Sequence, residues 1–169
     1  MAAEVIKVYQ EHLPALRLIG KRYTDQDRDA AGSFGEKWGE WIANGWFDEL
    51  VNLGPLPESE GASYGMMRME GGQFEYWIGM LFPSETEVPE GYAHADIAES
   101  DVGICWLHGS DDSGELYGIG PHNQCMDQLA ELGWKLKENP WFFEKYHPQR
   151  FASPDDKGKV ILDYGAYIR

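Results

Sequence analysis

Apolar positions recur along the chain first at the spacing of a strand, then of a helix, then of two strands, and the same order returns in the second half. Segment 13–24, LPALRLIGKRYT, is aliphatic and alternates in part, as a half-buried strand does. The polar stretch DQDRDAAG reads as a turn. Beyond it Phe34, Trp38, Trp41 and Ile42 fall at helical spacing, with Glu36, Lys37 and Glu40 between them. Asn44-Gly45 is predicted to cap that helix, and 46–53 to add a second short helical turn. Two extended runs follow, 62–69 and 73–82, joined at Glu70-Gly71-Gly72, a credible hairpin turn. Segment 83–91, PSETEVPEG, reads as a linker.

In the second half, 101–108 (DVGICWLH) is a predicted strand and 111–120 a loop. Pro121 stands at a first helical position before HNQCMDQLAEL, and Gly133 sits where that helix stops. Met126, Leu129 and Ala130 form its apolar stripe. Segments 141–147 and 160–168 are predicted closing strands around the polar turn SPDDKGK. The pattern therefore predicts an α+β fold within one domain, 1–169. It has two strand–helix–strand–strand repeats, about 1–83 and 92–169, that match in pattern but not in identity. Their sheet should be mostly antiparallel, with two helices on one face. The other face would be open as a ligand cleft.

Composition narrows the function. A length of 169 residues suits a single core. The formal net charge of −15 opposes contact with phosphate backbones, and no Lys/Arg cluster offsets it, so nucleic acid is not an expected partner. The same charge leaves open an acidic surface that docks a basic protein. Cys105 and Cys125 are too few for a secreted disulfide framework, MAAEVIKVYQ lacks the form of a secretory signal, and no run is long enough to span a bilayer. A cytoplasmic protein with reduced thiols and no membrane partner is expected. The aromatic content of 14% is high enough for both a core and a ring-lined pocket.

Several segments together resemble the GyrI-like family of small-molecule-binding, or effector-binding, domains. They are LPALRLIGKRY, Tyr64-Gly65 and FEYWIGM (74–80) in the first half. In the second half they are VGICWLHGS (102–110), LGWKL (132–136), WFFEKYHP (141–148) and VILDYGAYI (160–168). Members of that family occur behind AraC-type and MerR-type DNA-binding domains and as free-standing proteins. The resemblance implies a pseudo-twofold fold, a pocket for aromatic or cationic compounds, and an acidic residue in the penultimate strand at the pocket floor. The E-x-Y of this chain assigns that residue to Glu144, with Tyr146 on the same strand face. The Trp-rich region 38–47, Trp38 included, is similar to a free-standing subset associated with hydrolysis of electrophilic xenobiotics.

The residues themselves agree with a pocket chemistry of this kind. Period two puts Phe142, Glu144 and Tyr146 on one face of WFFEKYH, and a carboxylate among rings acquires a raised pKa unless a cation or donor pairs with it. Such a group suits a cationic ligand or acid–base work, and an exposed glutamate on an outer face is the plain alternative. Trp106 and His108 share a face of DVGICWLH, one as a stacking surface and the other as a hydrogen-bonding group, or both as ordinary packing. Trp77 and Tyr164 lie in the last strand of each half and could line the same cleft. His122 and Cys125 are helical neighbours without a third ligand, so no metal is expected. No cofactor motif is present in the sequence. An aromatic or cationic small molecule is the expected partner, with hydrolysis of an electrophile and plain sequestration or sensing both open.

Overall fold

The computed structural model describes residues 2–169. In chain order it contains β1 (Glu4–Leu13), β2 (Leu16–Tyr23), α1 (Gly35–Asn44), α2 (Trp46–Val51), β3 (Ser63–Glu70), β4 (Gln73–Pro83), β5 (Ala93–Ile97), β6 (Ser100–Ser110), α3 (Ile119–Glu131), β7 (Phe142–Tyr146) and β8 (Lys159–Ile168). The eight strands form one sheet in the order β1-β6-β8-β7-β3-β4-β2-β5, and every pairing is antiparallel.

Local chemistry explains most boundaries. The β3–β4 hairpin turns on Gly71 and Gly72, both at positive φ (58° and 79°), as a two-residue turn matched to strand twist requires. Gly45, at φ 68°, ends α1 and starts α2. Helix α3 starts at Ile119, two residues ahead of the expected Pro121. It buries Pro121, Cys125 and Leu129, spaced four apart, while Ala130 is exposed.

The strand expected at 13–24 is β2, Leu16–Tyr23, and only Leu13, ahead of Pro14, belongs to β1. Pro14 lacks an amide hydrogen and breaks the ladder, so β1 ends at Leu13 and β2 begins at Leu16. Strands β1 and β5 were not expected from the pattern. They are the two edges of the sheet, and β1 is partly solvated along its length. In β5, Ala93, Ala95 and Ile97 alternate with exposed His94 and Asp96, but five residues with an apolar side made mostly of alanine are too short a signal to stand out.

Those edges fix the shape. β1 and β2 are joined by Pro14-Ala15 alone, yet they are the first and seventh strands of the sheet. Ala98-Glu99 likewise joins β5, the eighth strand, to β6, the second. Six strand spacings span about 29 Å in a flat sheet. Three Cα–Cα steps reach at most about 11 Å. The sheet must therefore curl until its ends meet. The inner side of the curl is packed with Leu16, Leu18, Tyr64, Met66, Trp77, Leu81, Ile97, Val102, Ile104, Phe143 and Tyr167 in one buried cluster.

This corrects the expectation of an open face opposite the helices: that face is the filled interior of the curl. The helices pack on the outer side, α1 and α2 through Phe34, Trp41 and Leu50 against Ile19, Tyr76, Ile78 and Met80, and α3 through Cys125 and Leu129 against Cys105, Leu107 and Leu162. The two helical groups leave the centre of the sheet, β3 and β7, between them.

Curling crowds the inner side, and glycines relieve it. Gly20 and Gly79 face each other across β2 and β4, and a methyl at either would collide with the backbone of the other strand. Replacing either by alanine is expected to destabilise the protein by about 2 kcal/mol or more. In α1, a methyl added at Gly39 would meet no atom within 4 Å, and Gly39→Ala should add about 0.5–1 kcal/mol. Urea unfolding midpoints of the three variants check both signs.

Candidate functional site

At the centre of the outer side, β7 presents Phe142, Glu144 and Tyr146, and β3, β4 and β8 add Met67, Tyr76 and Tyr164 around them. Glu144 faces Gly65 on β3 and Tyr164 on β8 in the strand register. Gly65 has a steric purpose: a methyl there would strike both the Tyr76 hydroxyl and Glu144 Oε1, so only glycine lets the carboxylate lie across β3.

Tyr76 donates to Glu144 Oε1 at 2.7 Å and Tyr146 donates to the same oxygen at 3.2 Å. Trp38 Nε1, from α1, donates in turn to the Tyr76 hydroxyl at 2.9 Å. The carboxylate is 8% exposed, and no described Lys, Arg or His forms an ion pair with it. Burial pushes its pKa above the ordinary 4.5, and the two hydroxyl donors only partly oppose that shift. Burial and the neighbouring Glu144 charge hold the Tyr76 and Tyr146 hydroxyls well above their usual pKa, so both remain donors.

Rings surround this centre. Phe34 stacks on Tyr76 with centroids 4.3 Å apart and planes 2° from parallel. Trp38 meets Tyr146 edge-on at 4.8 Å, and Phe151 meets the same ring from the other side of the site at 4.8 Å. Together they line a cavity of about 1030 Å³ between α1 and α3, with the exposed side chains of Ile42 and Ile119 at its margin. The α3 side contributes His122, whose Nδ1 lies 2.5 Å from the Tyr164 hydroxyl and whose ring meets Phe142 edge-on at 4.9 Å. Burial lowers the His122 pKa.

The reverse of β7 is an ion-pair centre in the curl. Lys145 and His147 reach Glu60 at 2.9 and 3.1 Å, and Arg150 grips the buried Asp163 through two bonds. Glu60 is held down at about 2 by these partners, Lys145 first. The strand that carries Glu144 outward is thus pinned from behind.

Among the residues singled out from sequence, Glu144, Tyr146, Phe142, Tyr164 and Trp38 lie together in the cavity wall. Trp77, Trp106 and His108 do not. Trp77 points into the curl, 2% exposed, its Nε1 bonded to Glu75. Trp106 also faces the curl, bonded to Tyr9, with Lys7 and Arg150 cations 4.5 and 4.4 Å from its ring. His108 meets Asp155 at 2.9 Å. These three are one strand position out of phase with the cavity. Tyr76, Phe34 and His122 take part instead. Tyr76 was hidden because β4 is buried on both sides from Glu75 to Phe82, which erases the alternation that would have told it from Trp77. His122 is held by Tyr164 rather than paired with Cys125, which packs against Cys105. Among the described residues no group of three or more His, Cys, Asp or Glu is placed to hold a metal, and no helix is long and apolar enough to cross a membrane.

No family model and no curated protein matches the sequence. Solved structures do match. The chain is similar to SAV2435 bound to tetraphenylphosphonium, with a TM-score of 0.74 at 16% identity over 97% of this chain and 94% of that one. It is similar to a candidate bacterial transcription regulation protein from Staphylococcus aureus MU50, with a TM-score of 0.70 at 17% identity over 96% and 98% of the two chains. It also matches EcmrR in a DNA complex, with a TM-score of 0.59 at 11% identity over 96% of this chain but 57% of that one. The chain has the fold of these proteins.

A carboxyl group whose pKa is raised by folding favours the protonated form, so its contribution to stability is best at low pH and declines as pH rises through the raised value. Glu144→Gln keeps an acceptor for both tyrosines without the charge. At pH 7 it is expected to melt at a higher temperature than the unsubstituted protein, with the difference shrinking as pH falls toward 4.5. Thermal unfolding across that pH range checks it.

Proposed function

We propose that this protein is a GyrI-like small-molecule-binding domain that takes bulky aromatic cations into the cavity between α1 and α3, with Glu144 as their counter-ion. The observation that carries this reading is a buried carboxylate without a cationic partner at the floor of a ring-lined cavity. An uncompensated buried charge is costly to the fold, and a ligand cation offsets that cost while the rings add cation–π attraction. The cavity volume suits a ligand of drug size. A protein of similar fold, SAV2435, is seen bound to such a cation.

The strand order supports the pseudo-twofold repeats implied by that family. Exchanging β1 with β5, β2 with β6, β3 with β7 and β4 with β8 reverses the order of the sheet onto itself. The axis then passes between β3 and β7, beside Glu144. The net charge of −15 weighs against this domain itself touching DNA, so any regulatory role would act through the ligand.

A second reading, hydrolysis of electrophilic aromatic compounds, is favoured by one detail. Both tyrosine hydroxyls engage Oε1, and no described residue hydrogen-bonds Oε2. Oε2 would accept a proton from a water molecule as its oxygen attacks the electrophilic carbon, and the departing group would then take up that proton.

One experiment addresses both readings. Calorimetric titration with tetraphenylphosphonium should give one site per chain, and Glu144→Gln should weaken it about 10- to 100-fold, as expected for losing an attraction of a few kcal/mol at short range. Affinity should also fall on acidification, starting above pH 4.5 because the Glu144 pKa is raised. Equal affinity in both proteins would refute the counter-ion role. With a panel of aromatic electrophiles, product beyond one equivalent per chain, lost in Glu144→Gln, would establish hydrolysis.

A further inference from the structure

We propose that His122 is the specificity-determining residue of this cavity, and that its Nε2–H selects aromatic cations bearing a hydrogen-bond acceptor on the arm directed at α3. The inference rests on the cation-binding reading above and names the ligand class more narrowly.

The argument is one of satisfying donors. Tyr164 lies directly across from Glu144 in the β7–β8 pair, so its hydroxyl and the His122 ring form the wall next to the carboxylate. Burial, with Glu144 close by, keeps the Tyr164 hydroxyl protonated. Its O–H must therefore donate, and the acceptor in reach among the described residues is His122 Nδ1 at 2.5 Å. A neutral imidazole that accepts at Nδ1 carries its proton on Nε2. The lowered His122 pKa keeps the ring neutral at pH 7. No described side chain hydrogen-bonds Nε2, and His122 lines the cavity.

The ring is also fixed in direction. Phe142 and Tyr164 both meet it edge-on, at 4.9 and 5.6 Å, so Nε2–H is held rather than free to swing away. The cavity then presents an acceptor, the free Glu144 Oε2, and close by a neutral donor. Simple tetraaryl cations satisfy the first and leave the second unpaired once water is displaced, a loss that an acceptor on the ligand removes.

The test uses tetraphenylphosphonium and the three triphenyl(pyridyl)phosphonium isomers, which differ from it by one ring CH replaced by N. At pH 7.5 the unsubstituted protein should bind at least one pyridyl isomer about three- to tenfold more tightly, the gain of one neutral hydrogen bond. His122→Phe, and His122→Phe combined with Tyr164→Phe to leave no orphaned hydroxyl, should lose the preference, each binding the pyridyl isomers no more tightly than it binds tetraphenylphosphonium. Nitrogen-15 NMR of the histidine ring should show the Nε2-protonated neutral tautomer. A preference that survives in His122→Phe, no preference for any isomer, or an Nδ1-protonated ring would overturn this inference alone. Failure of the unsubstituted protein to bind tetraphenylphosphonium at all would overturn the cation-binding reading along with it.

Discussion

Two connections of two residues each, Pro14-Ala15 and Ala98-Glu99, join strands six positions apart, and the architecture follows from that restraint. A sheet held this way cannot lie flat. Its inner side becomes a core without needing a covering layer, which is why Trp77, Phe143, Tyr64 and Tyr167 are buried where no helix reaches. Its outer side diverges, so α1 with α2 and α3 settle on separate halves and do not meet over the centre. The cavity is the gap this leaves. Opposed glycines at 20 and 79 allow the close approach that the curl imposes.

The same strand, β7, has to serve both sides. Inward, Lys145 pairs with Glu60, which also takes a hydrogen bond from His147, while Arg150 and Asp163 satisfy one another, so the charge buried in the curl is matched. Outward, Glu144 has hydroxyl donors but no cation. Buried polar groups in folded proteins are normally paired. The contrast between the two faces of one five-residue strand marks the outward carboxylate as a group kept for something other than stability.

Much of the site was legible in FFEKY, because alternation on a strand is a local rule and puts Phe142, Glu144 and Tyr146 together whatever the remainder of the chain does. Tyr164 was a candidate from its place in the last strand, and Trp38 from the resemblance carried by the Trp-rich region 38–47. The parity of Trp77, Trp106 and His108 was not legible. In β4 and β6 both faces are buried along most of their length, one in the curl and one under helices, so apolar residues fill successive positions and the period-two signal vanishes. Strands β1 and β5 escaped for other reasons: β1 carries polar residues on both faces, and β5 is five residues long with an apolar side made mostly of alanine.

The α+β class, the antiparallel hairpin at Gly71-Gly72, three of the helical ends and the shared face of Glu144 and Tyr146 can be read from the residues, because each depends on backbone preferences or periodicity over a short stretch of chain. Three-dimensional packing sets which side of the sheet holds the cavity, that Tyr76 rather than Trp77 reaches Glu144, and that His122 belongs to Tyr164. Those depend on how strands distant in sequence are brought into register by a curled sheet, and that closure leaves no local mark on the residues it brings together.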